Sequence, residues 1–138
     1  MIVADTNLVA QLILSLDLTA RAQEIYRRDP DWHLPELWRH EFLNVLASYL
    51  RFDKVPAAQL LLAWKQAIEL FAGATCEVDM PLALELAGER NISAYDAQYL
   101  ALARSLSVPL VTEDRRLRRA APSETISMNQ FLASSAAK

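Results

Sequence analysis

The stretch Ile2-Val3-Ala4-Asp5-Thr6-Asn7, with the segment Leu8 to Leu16 behind it, decides how the chain is read. Three consecutive apolar residues suit a short strand buried on both faces, and the polar triplet that ends them is a helix-opening signal. The same alternation continues downstream. Ala20 to Arg28 reads as a helix stopped by Asp29-Pro30, Trp32-His33-Leu34 as a short strand, and Glu36 to Phe52 as a long helix. Pro56 opens a helix reaching about Ala72, and Thr75 to Val78 follows as a strand. Helices over Pro81 to Arg90 and Ser93 to Leu106 precede a buried strand at Pro109 to Val111. A short helix from Asp114 to Ala120, a strand at Thr125 to Ser127 and a helix from Gln130 to Ala136 close the chain.

Short apolar strands alternating with helices predict an α/β protein: one three-layer α/β/α domain around a central parallel sheet of about four or five strands. Residues 1–133 are expected to form the domain and 134–138 a frayed tail.

Composition narrows the function. Hydrophobic residues make up 53% and charged residues 22%, the balance of a packed globular chain. No apolar run approaches the ~20 residues that cross a bilayer. No basic leader with a small-residue cleavage site is present, and the single cysteine, Cys76, suits a reducing compartment, so a cytoplasmic protein without membrane contact is expected. Only Gly73 and Gly88 are available, too few for a GxGxxG turn or a phosphate-binding GxxxxGK[ST] loop, so no nucleotide cofactor is expected. The net charge of −3 does not by itself announce a nucleic-acid binder.

In open α/β sheets ligands sit beyond the carboxyl ends of the strands. Asp5 follows the first strand, Asp114 follows Leu110-Val111-Thr112, Asp96 opens the helix after Asn91-Ile92, and Glu41 lies about one turn into the helix after the Trp32 strand. Each has an ordinary explanation as well: Asp5 and Asp114 suit helix N-caps, and Asp96 stands three residues after Ser93, close to a capping-box spacing. Glu41 fits that explanation worst, since Leu37, Trp38, Asn44 and Val45 are its helical neighbours and none is basic. Asp96 shares its face with Tyr99, Leu100 and Ala103. If all four converge, two unit charges ~6 Å apart repel by about 3 kcal/mol at an effective dielectric of ~20, and six such pairs cost on the order of 15 kcal/mol. That rivals the stability of a whole domain, so protons stay on or a cation binds.

Oxygen donors select hard ions, Mg²⁺ or Mn²⁺. His33 and His40 lack metal-ligand spacing and are expected to be structural, with Cys76 as a small core residue. Without the four acids the balance of −3 becomes +1. Arg115, Arg116, Arg118 and Arg119 then offer an RNA-backbone contact, or simply a solvated helix face. On the Pro56 to Ala72 helix, Leu60, Leu61, Trp64, Ala67, Ile68 and Phe71 form the main apolar arc. Leu62 and Leu70 lie on a second stripe, open to a partner helix, a sister subunit or plain solvent.

The residues resemble a known family. Asp5-Thr6-Asn7, Pro35 to Leu46 (PELWRHEFLNVL), Tyr95 to Ala103 (YDAQYLALA) and Leu110 to Asp114 (LVTED) look like the four acidic motifs of PIN domains, in order over nearly the whole chain. More narrowly they resemble VapC-type toxins. The resemblance implies a Mg²⁺- or Mn²⁺-dependent endoribonuclease, homodimeric and held inactive by a VapB-type antitoxin of a type II toxin–antitoxin pair. It implies Asp5 and Asp96 as principal metal ligands, Glu41 and Asp114 completing the catalytic site, and Thr6, Asn7 and Thr112 supporting them. Some relatives carry a further acid after the fourth; here Arg115, Arg116 and Leu117 follow. The alternatives are a receiver-like domain, which wants a lysine where Thr112-Glu113-Asp114 stands, a phosphatase, which wants aspartate where Asn7 stands, and a catalytically inactive PIN-fold interaction module.

Overall fold

The computed structural model describes residues 1–136. Five strands, β1 (Ile2–Ala4), β2 (Trp32–Pro35), β3 (Thr75–Cys76), β4 (Leu110–Val111) and β5 (Thr125–Ile126), form one sheet in the order β3-β2-β1-β4-β5. Every pairing is parallel, with Val3 opposite His33 on one side and Leu110 on the other. The receiver-like alternative fails here, because flavodoxin-like sheets run 2-1-3-4-5 and this one does not.

Alternate residues along each strand feed opposite layers, as the two-residue side-chain period requires. Ile2, Ala4, Trp32, Leu34 and Val111 pack against α1 (Thr6–Ile13), α2 (Thr19–Arg28), α3 (Trp38–Phe52), α4 (Ala57–Phe71) and α8 (Met128–Ala136). Val3 and Leu110 face the other way, onto α6 (Ala94–Leu106) and α7 (Arg115–Ala120). Helix α5 (Met80–Arg90) packs on α6 through Ala83 and Leu86 against Ala97, Leu100 and Ala101.

Every expected element is present, with shifted ends. Helix α1 begins at Thr6, not Leu8, so Asp5 itself is the N-cap residue. Helix α3 begins at Trp38, not Glu36, which puts Glu41 in its first turn. Helix α8 continues through 134–136, where the tail was expected to begin; positions 137 and 138 lie outside the described residues. On α4 the core arc is Leu60, Ala63, Ala67 and Phe71, whereas Leu61, counted in the arc from sequence, is 69% exposed.

An aromatic cluster anchors the larger layer. Phe71 stacks on Trp32 at 5.6 Å between ring centroids and meets Trp38 edge-on at 5.8 Å. Such contacts add to the burial of a large ring. Phe71→Ala is expected to cost about 3–5 kcal/mol of unfolding free energy in urea titration; a loss under ~1 kcal/mol would show that this cluster does not hold α4 to the sheet.

Candidate active site

The chain runs from β1 to β2 on one side, then crosses back to place β4 on the other side of β1. Between β1 and β4 the winding therefore reverses, and a crevice opens at their carboxyl ends. Asp5 and Thr112 are the first residues beyond those two strands.

Asp5 occupies the N-cap position of α1 but makes no capping hydrogen bond with its side chain. Its Oδ2 instead accepts from Thr112 Oγ1 at 2.6 Å. The Thr112 oxygen in turn accepts from the Asp114 backbone N–H at 3.1 Å, so one buried hydroxyl ties the two strand ends together. Asp114 does behave as a cap: its Oδ1 accepts from Leu117 N at 3.0 Å. At the start of α6 the cap is Ser93, whose Oγ accepts from Asp96 N at 3.1 Å.

Glu41 has no basic partner, as the sequence indicated; hydroxyls compensate it. Tyr99 donates to its Oε1 at 2.6 Å, and Thr6 Oγ1 donates to the same oxygen at 3.0 Å. The Tyr99 and Thr6 hydroxyls also contact each other. Burial pushes the Tyr99 hydroxyl far above the usual phenol range, and the Glu41 charge adds to that, so the group stays protonated.

The carboxylates sense one another. Burial raises Asp5 from 3.8 to about 6; the Thr112 hydrogen bond opposes the rise, and the charges of Glu41 and Asp96 reinforce it. Asp96 is also raised, first by burial and then by Asp114 and Glu41, while the Ser93 hydrogen bond and the Arg116 charge pull it down. Among the described residues none of the four acids forms a salt bridge. Nor, among those residues, do three His, Cys, Asp or Glu side chains close into a ready-made metal cluster. Charge links the four acids, but of these only Asp5 and Glu41 line the same cleft, and Asp96 and Asp114 lie outside its lining. Asp5, Thr6, Asn7, His40, Glu41 and Tyr95 line an open cleft of about 720 Å³.

Other expectations divide. Arg116 is near enough to Asp96 to influence it, and Arg115, Arg116 and Arg119 are exposed. Arg118 is half-buried, with its Nε enclosed and without a hydrogen-bond partner, so it is set apart from the other three. His33 is structural, bonded to Asp31 at 2.8 Å and contacting Cys76 Sγ at 3.5 Å. His40 is exposed on the cleft wall, which its spacing in the sequence did not reveal. Tyr99 and Tyr95 went unassigned in the sequence. The only signal for Tyr99 was its place one turn after Asp96 on the same helical face. Leu62 and Leu70 are exposed, and Leu43, Leu50, Leu61 and Trp64 line an apolar groove of about 310 Å³ between α3 and α4.

Fold and site together define an α/β protein with an acidic centre at the switch point of its sheet. The particular family follows from comparison. The PIN domain model matches residues 2–122, and the chain belongs to the PIN-domain family. PIN domains are generally nucleases. The crystal structure of PAE2754 from Pyrobaculum aerophilum is similar, with a TM-score of 0.78 and 25% identity, over 99% of this chain and 97% of that one. FitAcB from Neisseria gonorrhoeae has a TM-score of 0.71 at 21% identity, over 93% of this chain and 98% of that one. FitAB bound to an IR36 DNA fragment gives the same TM-score and identity, over 93% and 95%. Among curated proteins no sequence relative matches the chain.

Asp5 carries a stability consequence. Its folded value of about 6 lies above the unfolded 3.8, so the native state keeps its proton to higher pH. The Asp5 contribution to stability is therefore greatest below about pH 4, falls as pH rises towards about 6, and stays lowered beyond. At about 1.4 kcal/mol per pH unit the deficit is on the order of 3 kcal/mol. In metal-free protein at pH 8, Asp5→Asn is expected to raise Tm by several degrees. That gain should vanish near pH 4. Calorimetry showing the variant melting at or below the parent at pH 8 would contradict the electrostatic picture.

Proposed function

We propose that the chain is a divalent-metal-dependent endoribonuclease, the VapC-type toxin of a type II toxin–antitoxin pair, acting in the cytoplasm on RNA. The observation that carries this reading is the half-buried Asp5 carboxylate at the switch point, raised in pKa, crowded by Glu41 and Asp96, and offered no neutralising cation within the described residues. The donor set is oxygen only, which fits Mg²⁺ or Mn²⁺. Such ions commonly take one or two carboxylates and fill their remaining positions with water or phosphate, so a three-sided protein cage is not required. Asp5 and Asp96 would hold the ion, with Glu41 and Asp114 contributing directly or through water.

When bound, the ion supplies a water of lowered pKa and polarises the scissile phosphate. The chain supplies the rest. Thr112 holds Asp5 in place through Oδ2. Thr6 and Tyr99 hold Glu41, which accepts the proton from the attacking water. Asn7 borders the cleft, and the exposed Arg115, Arg116 and Arg119, with the half-buried Arg118, would contact the RNA backbone. Attack by water leaves a 5′-phosphate and a 3′-hydroxyl.

For partners we propose a VapB-type antitoxin and a second copy of this chain. The exposed apolar residues of α3 and α4 support both, since Leu43, Leu61, Leu62 and Leu70 are unusually open for a packed domain. The similarity to FitAB, whose structure holds DNA, also favours an antitoxin-bound assembly. Sedimentation as a concentration-independent monomer would remove the homodimer.

Cleavage of total bacterial RNA is expected with Mg²⁺ or Mn²⁺ and to stop on chelation. Asp5→Asn and Asp96→Asn should each reduce cleavage by roughly 100-fold or more while remaining folded. Parent-level cutting by either variant, or equal cutting in chelator, would overturn the assignment. An inactive interaction module would instead show folded protein, a bound partner and no metal-dependent cleavage.

A further inference from the structure

We propose that Tyr99 is a positioning residue that fixes which oxygen of Glu41 faces the acidic centre; this role rests on the nuclease reading above and goes beyond it. Tyr99 lies on α6 three residues after Asp96 and is 2% exposed, packed in the layer that contains Val3, Leu102 and Leu110. A phenylalanine would satisfy that packing. The hydroxyl calls for a separate explanation, because a buried polar group without a partner is unfavourable.

Its partner is Glu41 Oε1, from a helix on the opposite face of the sheet and 58 positions earlier in the chain. Thr6 reaches the same oxygen from α1. Three oxygens thus share two hydroxyl hydrogens around Oε1, while among the described residues no hydrogen bond reaches Oε2. A free glutamate samples several side-chain rotamers. Pinning one oxygen from two sides leaves the other aimed outward, where it serves a cation or an attacking water. Helix α6 therefore does two jobs from a single turn: it presents Asp96, and through Tyr99 it sets the acid of α3 in register with it.

The test compares Tyr99→Phe with the parent in three measurements: Mn²⁺ affinity by calorimetry, RNA cleavage at saturating Mn²⁺, and the Glu41 side-chain carboxyl signal in ¹³C NMR of metal-free protein. Mn²⁺ affinity and cleavage are expected to fall by about 10- to 100-fold, as for partners that orient metal ligands. The Glu41 signal is expected to move or broaden, and the metal-free Tm to change by only a few degrees. Leu106→Ala, a packing change two turns along α6, serves as the control: it should lower Tm and leave Mn²⁺ affinity alone. An unmoved Glu41 signal in Tyr99→Phe, parent-like affinity and rate, or an equal loss of affinity in Leu106→Ala would each overturn the proposal. Failure of the parent itself to bind Mn²⁺ or cut RNA would instead strike the nuclease reading, and the NMR result would still decide whether Tyr99 orients Glu41.

Discussion

A carboxylate taken out of water must be protonated, paired with a cation or surrounded by donors. At Asp5 the chain provides the Thr112 hydroxyl as a donor and then places two more negative charges nearby. Burial outweighs the hydrogen bond, and the side chain holds its proton well above its ordinary range. The rest of the centre follows from this imbalance. Hydroxyls, being neutral, can orient Glu41 and Asp5 without cancelling their charge, and here Thr6, Tyr99 and Thr112 do so. Lysine or arginine in those places would relieve the repulsion and cancel the charge.

The sheet order supplies the geometry. Because β1 lies between β2 and β4, the acid after β1 meets the threonine after β4 across one strand spacing, although 107 positions separate them. Glu41 arrives from the helix after β2, and Asp96 from the helix that leads into β4. The four acids come from elements bordering a single reversal in the winding. Ordinary cap chemistry fixes two of them: Ser93 caps α6 through the Asp96 backbone N–H, and Asp114 caps α7 through the Leu117 backbone N–H.

Much of this was legible in the amino-acid order. Apolar triplets ended by polar residues marked β1 and β4, and proline and aspartate marked where helices stopped. Glu41 stood out because nothing basic accompanied it on its helix. Helix starts were less readable, since α1 opens at Thr6 and α3 at Trp38 where Leu8 and Glu36 were expected, whereas α5 and α6 end at Arg90 and Leu106 as read, with Asn91 and Ser107 turning left-handed in place of glycine. The depth of Leu61 was misjudged because a helical wheel ranks directions but does not say how wide a neighbour's cover is; α3 covers Leu60 and stops short of Leu61. Tyr99 was invisible as a polar participant. An aromatic on an inward face looks like packing until the opposite residue is known, and that residue belongs to a distant helix. Strand order, too, is a three-dimensional fact that local patterns do not encode.

The outer strands of the sheet, β3 and β5, are only two residues long. A lateral partner strand would find almost no unpaired backbone to bond, so the sheet is closed to growth at both margins. A partner of this chain would therefore have to be met by side chains across the helices, in the shapes of leucines and aromatics instead of in a main-chain ladder.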